Sequence, residues 1–548
     1  MKKIALTIIL LLVPTFGLML RGGIFTMHDP TLFRQYEFNN CVQQLIFPCR
    51  WAPDAGMGYG EPVFNYYGQF PYWIGQLFIS TGISILDATK ISFILSLLVS
   101  ALSMYLLARE IWGKTGGLIS AIFYSYASYR AVDVWVRGNL SETWAFVFFP
   151  LILLFIKRFI EISKSKYLFW LILSISGLVI THNLSLLMMF PFAIAWTAFW
   201  WWKSPRSVHA IYDLTSAGLV SVLLSAFYLW PVIFESSLVT LGQTIAGYYD
   251  FHLHYATLKQ LFLSTFWGYG GSGWGPIDGL SFAVGHVHWV IVGVVIVFAI
   301  YKYLTPNPSQ NTTTLSQRYP HFISPYLGGE TPQGEGVLKN IIFFSSLGLL
   351  AIFLTHGKSD FIWNLVKPMA YIQFPWRFLT MSTLFLSLSA GAVYKFIPKI
   401  LVSLLLCLLL LLNSGVFRPD IWRDITDAQQ FSGKLWDEQR SSSLSDYWPK
   451  SAPILPNKFA PTTPEIILET DTYQKIRYPI VYFPGWTARN NKQELFVYPS
   501  GELGLVTVRA PANSNIKLSF EDTPVRKIGN IVSLITLFGL VIWIWKKS

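Results

Sequence analysis

Hydrophobic residues run along this chain in long blocks rather than at strand-like alternation. A helix that crosses a bilayer needs about 17 to 25 mostly apolar residues. Blocks that reach or approach this length lie at 4–20, 88–108, 115–129, 141–159, 167–181, 184–202, 211–231, 286–303, 340–355, 372–394, 398–414 and 528–545. The pattern predicts an all-α polytopic membrane protein with about 12 transmembrane helices. Lys2 and Lys3 precede the first block as in a secretory signal, but no small-residue cleavage site follows it, so it is read as a retained helix. The stretch at 70–84 contains Gln76 and is too short to span, which predicts an interfacial or re-entrant helix.

Composition agrees with that pattern: of 548 residues 53% are hydrophobic and only 13% charged, far from the usage of a soluble domain. The net charge of +12 would suggest nucleic acid in a soluble protein, but here Lys and Arg gather at span ends, among them Arg109, Lys114, Lys157, Arg158, Lys203 and Lys395. No nucleic-acid partner is expected. The positive-inside rule places that face, with both termini, in the cytoplasm of a cell (plasma) membrane. The outer side then receives 21–87, 130–140, 232–285, 356–371 and 415–527.

The expected organisation is a multi-span membrane domain at 1–414, an extracytoplasmic segment at 415–527 and a final helix with a basic tail at 528–548. Residues 304–338 read as a flexible cytoplasmic insertion. From about 460, short runs such as EIILETD, IRYPIVYF and GLVTVRA predict five or so strands of a small β-sandwich, and 415–460 reads as polar and irregular. No internal repeat is evident. Cys41 and Cys49 share the first outer loop and are candidates for a disulfide in an oxidising compartment, with two free thiols as the alternative.

Unusual polar residues concentrate on the outer side. His28 and Asp29 stand just beyond the first span, where a carboxylate beside an imidazole can serve as a general base or hold a cation; Asp before Pro30 also suits a helix cap. The Gly-, Pro- and aromatic-rich stretch RWAPDAGMGYGEPVFNYYGQFPYW carries Arg50, Asp54 and Glu61, and suits either a loop over a cavity or an aromatic belt. Arg130, Asp133 and Arg137 fall at helical spacing with Glu142 beyond them. Four charges in apolar surroundings mark either a functional site or a structural ion-pair network. His182 and Asn183 interrupt two spans, Glu235 follows FYLWPVIFE, and Arg377 lies where it can grip a phosphate or snorkel to lipid headgroups. His252, His254, His286 and His288 lack the spacing of a zinc site. No phosphate-binding loop, dinucleotide fingerprint or nucleophile elbow is present. The residues indicate no metal site, and the cofactor, a divalent metal included, stays unknown.

The motifs MHDPTLF, PCRWAPDAGMGYGEPVFNYYGQFPYW, YRAVDVWVRGNLSETWAFVFFPLIL, THNLSLL, FYLWPVIFE, YIQFPWRFL and VYFPGW resemble, in this order, those of the 6-pyruvoyl-tetrahydropterin synthase-related integral membrane family and, more widely, of the GT-C superfamily of membrane glycosyltransferases. The resemblance implies a GT-C-like fold and transfer of a sugar from a polyprenyl-phosphate carrier to a glycan, lipid or protein acceptor outside the membrane. It also implies an acidic residue of the first outer loop at the reacting centre, which maps to Asp29 with His28 beside it; many such enzymes carry two acidic residues there. The expectation is thus an inverting glycosyltransferase with Asp29 and His28 catalytic. Arg50, Asp54, Glu61, Arg130, Asp133, Arg137, Glu142, His182, Asn183, Glu235 and Arg377 would bind substrate. The alternative is a non-catalytic transporter or scaffold for lipid-linked glycans.

Overall fold

A computed structural model describes residues 2–204, 208–240, 245–273, 278–304, 333–442, 447–468, 470, 472–491, 493–512 and 514–547. Most of the expected insertion at 304–338 lies outside the described residues. Its far end is nevertheless helical, because Gln333 begins the helix Gln333–Thr355.

Among the described residues, six helices are long and apolar enough to cross a membrane: Lys2–Leu20, Ile85–Ser125, Asn183–Lys203, Gly336–Thr355, Lys399–Val416 and Pro524–Lys547. The chain is built as a membrane protein. The expected number of twelve spans is not reached on this measure, and backbone breaks that hydropathy does not register are part of the reason. The block predicted at 211–231 is the helix pair His209–Leu224 and Ala226–Phe234, bent by 80°. That predicted at 372–394 is a 12-residue helix, Leu379–Ala390, because Gln373 (φ 67°) and Pro375 hold the preceding residues in 3-10 turns.

Ile85–Ser125 is 41 residues long, about twice what a bilayer requires. It is broken at Gly113 (φ 78°, ψ −177°), a conformation open to glycine alone at low cost. Beyond the break the chain folds back, since a Cβ at Gly117 would lie 3.1 Å from the Arg109 backbone nitrogen and from the Tyr105 ring. The predicted pair at 88–108 and 115–129 is therefore kept as two packed segments. The 70–84 stretch holds the ten-residue helix Phe70–Ile79, too short to span.

One strand pairing bears on the candidate site, and two further sheets build the C-terminal unit. Strand β1 (Ile24–Phe25) pairs antiparallel with β2 (Trp422–Arg423), drawing the chain beyond the first helix to the segment that follows Val416. That segment is not irregular as expected, since it carries the helices Asp427–Gln430 and Gly433–Ser442. Farther on, seven strands replace the five or so predicted. They are β3 (Glu465–Leu468), β4 (Tyr473–Val481), β5 (Trp486–Asn490), β6 (Gln493–Leu495), β7 (Val497–Ser500), β8 (Leu505–Pro511) and β9 (Ile516–Phe520). They form one sheet of order β3-β4-β8-β7 and another of order β6-β5-β9. Val481, Ala488, Val506 and Val508 are buried inside this unit. Cys41 and Cys49 are joined in a disulfide.

Candidate functional site

Asp29 does not cap the helix that follows it. The cap position of Thr31–Gln43 is Pro30, without a side-chain hydrogen bond. The Asp29 carboxylate instead accepts a 2.9 Å hydrogen bond at Oδ1 from Arg34 Nη1, a buried guanidinium that also stacks 3.8 Å from the centre of the Tyr67 ring. Oδ2 makes no hydrogen bond to the described residues. The backbone is fixed as well, the Asp29 N–H donating to the Arg137 carbonyl at 2.8 Å. His28 Nε2 lies 2.8 Å from the Tyr269 carbonyl, which as an acceptor requires the proton on Nε2 and leaves Nδ1 as the basic nitrogen of a neutral ring.

His28 and Asp29 border a cavity of about 230 Å³. One wall is the loop Ile24–Pro30 with Leu32; the other is Arg423, Gln430, Leu435, Glu438, Gln439 and Ser442. The β1–β2 pairing sets the first contact between these walls. Aromatic packing of Tyr36 on Phe431 and Trp436, with ring centres 4.6 Å apart in both pairs, fixes the second.

Behind Asp29 lies a buried ionic cluster. Arg137 Nη1 meets Asp133 Oδ1 at 2.9 Å and Glu142 Oε2 at 2.6 Å, and both carboxylates are fully buried. Tyr129 Oη donates to Glu142 Oε1 (2.6 Å), and Thr143 Oγ1 to Asp133 Oδ2 (3.0 Å). Three of the four charges, Asp133, Arg137 and Glu142, thus form the ion-pair arrangement that low-dielectric burial demands, and Arg130 stands outside it. Arg130 is fully buried, donates to Ser100 and Thr143, and lies 4.1 Å from the centre of the Phe146 ring, away from the cavity lining.

His182 and Arg377 feel the charges of Glu142, Arg137 and Asp29, so the fold gathers them in one region. His182 Nδ1 pairs with Ser185 Oγ at 2.7 Å. Arg377 is 8% exposed and donates from Nη1 to the Ile372 carbonyl and Gln373 Oε1, while its buried Nε has no partner. It makes no ion pair with any described carboxylate. Asn183 is turned to its own helix start, its Oδ1 accepting from the Leu184 N–H.

The remaining candidates lie elsewhere. Glu235 Oε2 accepts from Arg526 Nε (2.8 Å) and Asn65 Nδ2 (3.2 Å), and Oε1 from Thr523 Oγ1 (2.5 Å). Arg50 joins this second cluster through Asn530 Oδ1 (3.0 Å) and through Asp522, 3.5 Å from its Nε. Burial pushes the Arg50 guanidinium down to about 10, with Asp522 opposing the shift. Asp54 donates its N–H to Glu37 Oε2 (3.3 Å). Glu37 is fully buried, and desolvation, reinforced by Asp54, holds its carboxyl well above the usual range. Glu61 is buried in a bridge to Ala52. Among the described residues no three His, Cys, Asp or Glu side chains are placed to hold a metal ion.

Sequence reasoning passed over Arg34, although it lies one helical turn beyond Pro30 in PTLFRQYEF, and that spacing is a usable signal. Gln430, Glu438, Gln439 and Arg526 had no such signal, because each acts on residues far away in the chain.

No family model matches the chain. No curated protein matches it either, so nothing beyond the motifs supports the synthase-related family label. Among solved structures, the arabinofuranosyltransferase AftD from Mycobacteria aligns with TM-score 0.46 and 12% identity, over 78% of this chain and 27% of AftD. The oligosaccharyltransferase of Archaeoglobus fulgidus aligns with TM-score 0.38 and 12% identity, over 80% of this chain and 56% of that one. The archaeal oligosaccharyltransferase AglB from the same organism, in complex with an inhibitory peptide and a dolichol-phosphate, gives 0.33 and 13%, over 80% and 59%. The chain therefore spans about a quarter of AftD and little more than half of the archaeal enzymes. At these scores the likeness is partial and says nothing of activity.

Proposed function

We propose that this chain is a membrane glycosyltransferase that takes a sugar from a polyprenyl-phosphate carrier and passes it to an extracytoplasmic cell-envelope acceptor. The observation that carries this reading is Asp29: a carboxylate on a cavity wall, one oxygen held by Arg34, the other without a partner among the described residues. The motif resemblance supplies the reaction class. The disulfide in the first loop supports placing that loop on the oxidising side of the membrane.

In the proposed step the acceptor oxygen attacks the anomeric carbon while the bond from that carbon to the phosphate oxygen breaks, inverting configuration. The acceptor proton passes to Asp29 Oδ2, and the polyprenyl phosphate leaves with the bonding electrons. Arg377 is the residue assigned to the leaving phosphate, because it feels the charge of Asp29 and no described carboxylate pairs with it, whereas Arg137 is already neutralised by two carboxylates. Arg137, Asp133 and Glu142 act by holding the backbone carbonyl on which Asp29 rests.

The test is sugar transfer in liposomes with a panel of polyprenyl-phosphate sugars, comparing the parent with Asp29→Asn. Loss of a general base is expected to lower turnover by about 10²- to 10⁴-fold with carrier binding retained. Equal transfer by both proteins would remove Asp29 from the mechanism. Carrier binding without transfer by either would favour the transporter or scaffold reading.

A further inference from the structure

The cavity wall opposite Asp29 carries polar groups that the protein itself leaves unused. Gln430 is 3% exposed, and its side chain has no hydrogen-bond partner among the described residues. Gln439 Oε1 is buried without a partner. Burying an amide oxygen unsatisfied costs about 1–3 kcal/mol, so the Gln439 oxygen, on the same wall as the unbonded Gln430 amide, calls for a ligand that satisfies it. Glu438 lines the same wall, its only ion-pair partner among the described residues being the exposed Lys434 at 3.9 Å.

Resting on the glycosyltransferase reading above, we infer that Gln430, Glu438 and Gln439 form the acceptor subsite, and that it takes the vicinal hydroxyls of one neutral sugar residue, making the acceptor a glycan. The lining combines acceptors (the Asp29 and Glu438 carboxylates, the two amide oxygens) with donors (the amide N–H groups and Arg423). A sugar hydroxyl both donates and accepts, and matches such a mixed set. A phosphate has no such match, since two carboxylates outnumber the single Arg423 in the lining. The volume of about 230 Å³ falls below the roughly 300–1,000 Å³ of a site for a drug-sized molecule, which suits a single ring. Ile24, Phe25, Met27 and Leu32 supply an apolar surface for the carbon face of that ring. Glu438 also brings a second carboxylate to the cavity from the far end of the sequence, where the first loop offers His28 and Asp29 alone.

The test is direct binding of methyl glycosides of glucose, galactose, mannose and arabinose to the full-length purified chain, measured by saturation-transfer NMR. Glucose 1-phosphate and a short Asn/Ser/Thr peptide serve as competing classes. At least one neutral glycoside is expected to bind, with affinity lowered tenfold or more in Gln439→Leu and Gln430→Ala. Glu438→Gln, a substitution at a half-exposed position that leaves folding undisturbed, should weaken it severalfold. Asp29→Asn should still bind it. Equal binding by parent and all three wall variants overturns the inference, as does preference for the phosphorylated sugar or the peptide, or binding of no glycoside. If a glycoside binds through this wall but no carrier is turned over, the subsite stands and the glycosyltransferase reading falls; if carriers are turned over and no glycoside binds, the reverse holds.

Discussion

Replacing Glu235 by Gln should destabilise the protein rather than act on its substrate. Glu235 is 3% exposed, and its carboxylate holds Arg526 and Thr523 at the start of the last helix and Asn65 in the first loop. Its carbonyl also accepts from Tyr66 Oη at 2.7 Å. Arg526 is fully buried, donates to the Pro484 carbonyl, and stacks 5.2 and 5.0 Å from the Phe483 and Phe520 ring centres. One carboxylate therefore ties the β-rich unit and the final helix to the first loop. Glu235→Gln keeps the shape but leaves Arg526 buried without its carboxylate and Arg50 with Asp522, 3.5 Å away, as its ion-pair partner.

Breaking a buried pair from one side costs about 3–5 kcal/mol. Unfolding entropy of about 2.1 cal/mol/K per residue makes 1 kcal/mol worth roughly 1 °C in a chain this long, so the unfolding midpoint should fall by about 3–5 °C. The assay is tryptophan fluorescence during heating of the detergent-solubilised protein, with Arg526→Met and the double variant alongside. Removing both charges should recover about half of the loss or more, a coupling within the 0.5–3 kcal/mol range for contacting groups. Added salt should leave the shift in place, since the pair is buried. If Glu235→Gln melts within 1 °C of the parent while carrier binding falls, Glu235 is a substrate group and the structural argument fails.

Three further outcomes are expected. Cys41→Ser with Cys49→Ser opens a short loop and should cost about 2.5 kcal/mol by the chain-entropy relation, read as a lower midpoint under non-reducing conditions that reductant abolishes in the parent. Glu37 binds a proton more tightly in the folded chain than at its ordinary value of 4.5, so it favours folding less as pH rises above 4.5. Glu37→Gln lacks this loss, and should melt above the parent at pH 8 with the gap closing toward pH 4.5; a gap of the opposite sign refutes the assignment. Arg377→Gln removes a charged hydrogen-bond donor worth about 1.5–3 kcal/mol and should weaken carrier binding about ten- to a hundredfold, measured by carrier titration in liposomes; binding equal to the parent's refutes the assignment.

The membrane helices were legible because an apolar block is a property of composition, which survives without knowledge of contacts. Their breaks were not. Gly113, Ser225 and Gln373 lie inside or beside blocks that hydropathy reads as continuous or as simple turns, and only backbone angles show the reversal, the 80° bend and the 3-10 turns. The β-rich unit was visible in runs of Ile, Val and Tyr, but the run KQELFVY is divided between β6 and β7, and β5, which carries Thr, Arg and Asn, stood outside the apolar runs.

Charge was the better guide to the site, for a physical reason. Arg130, Asp133, Arg137 and Glu142 are costly in apolar surroundings unless paired, so their presence alone implied a cluster. What the sequence could not decide was which charge the fold leaves over. Asp133 and Glu142 are consumed by Arg137, and Glu235 by Arg526, whereas Asp29 retains on a cavity an oxygen unbonded to any described residue, and Arg130 and Arg377 each keep an unbonded buried nitrogen. Pairing is set by three-dimensional neighbours such as Arg34 and Arg526, one near in sequence and the other near the end of the chain. A list of buried charges becomes a candidate site only after these pairs are subtracted, and Asp29, the carboxylate left on the cavity wall, is where the proposed site begins.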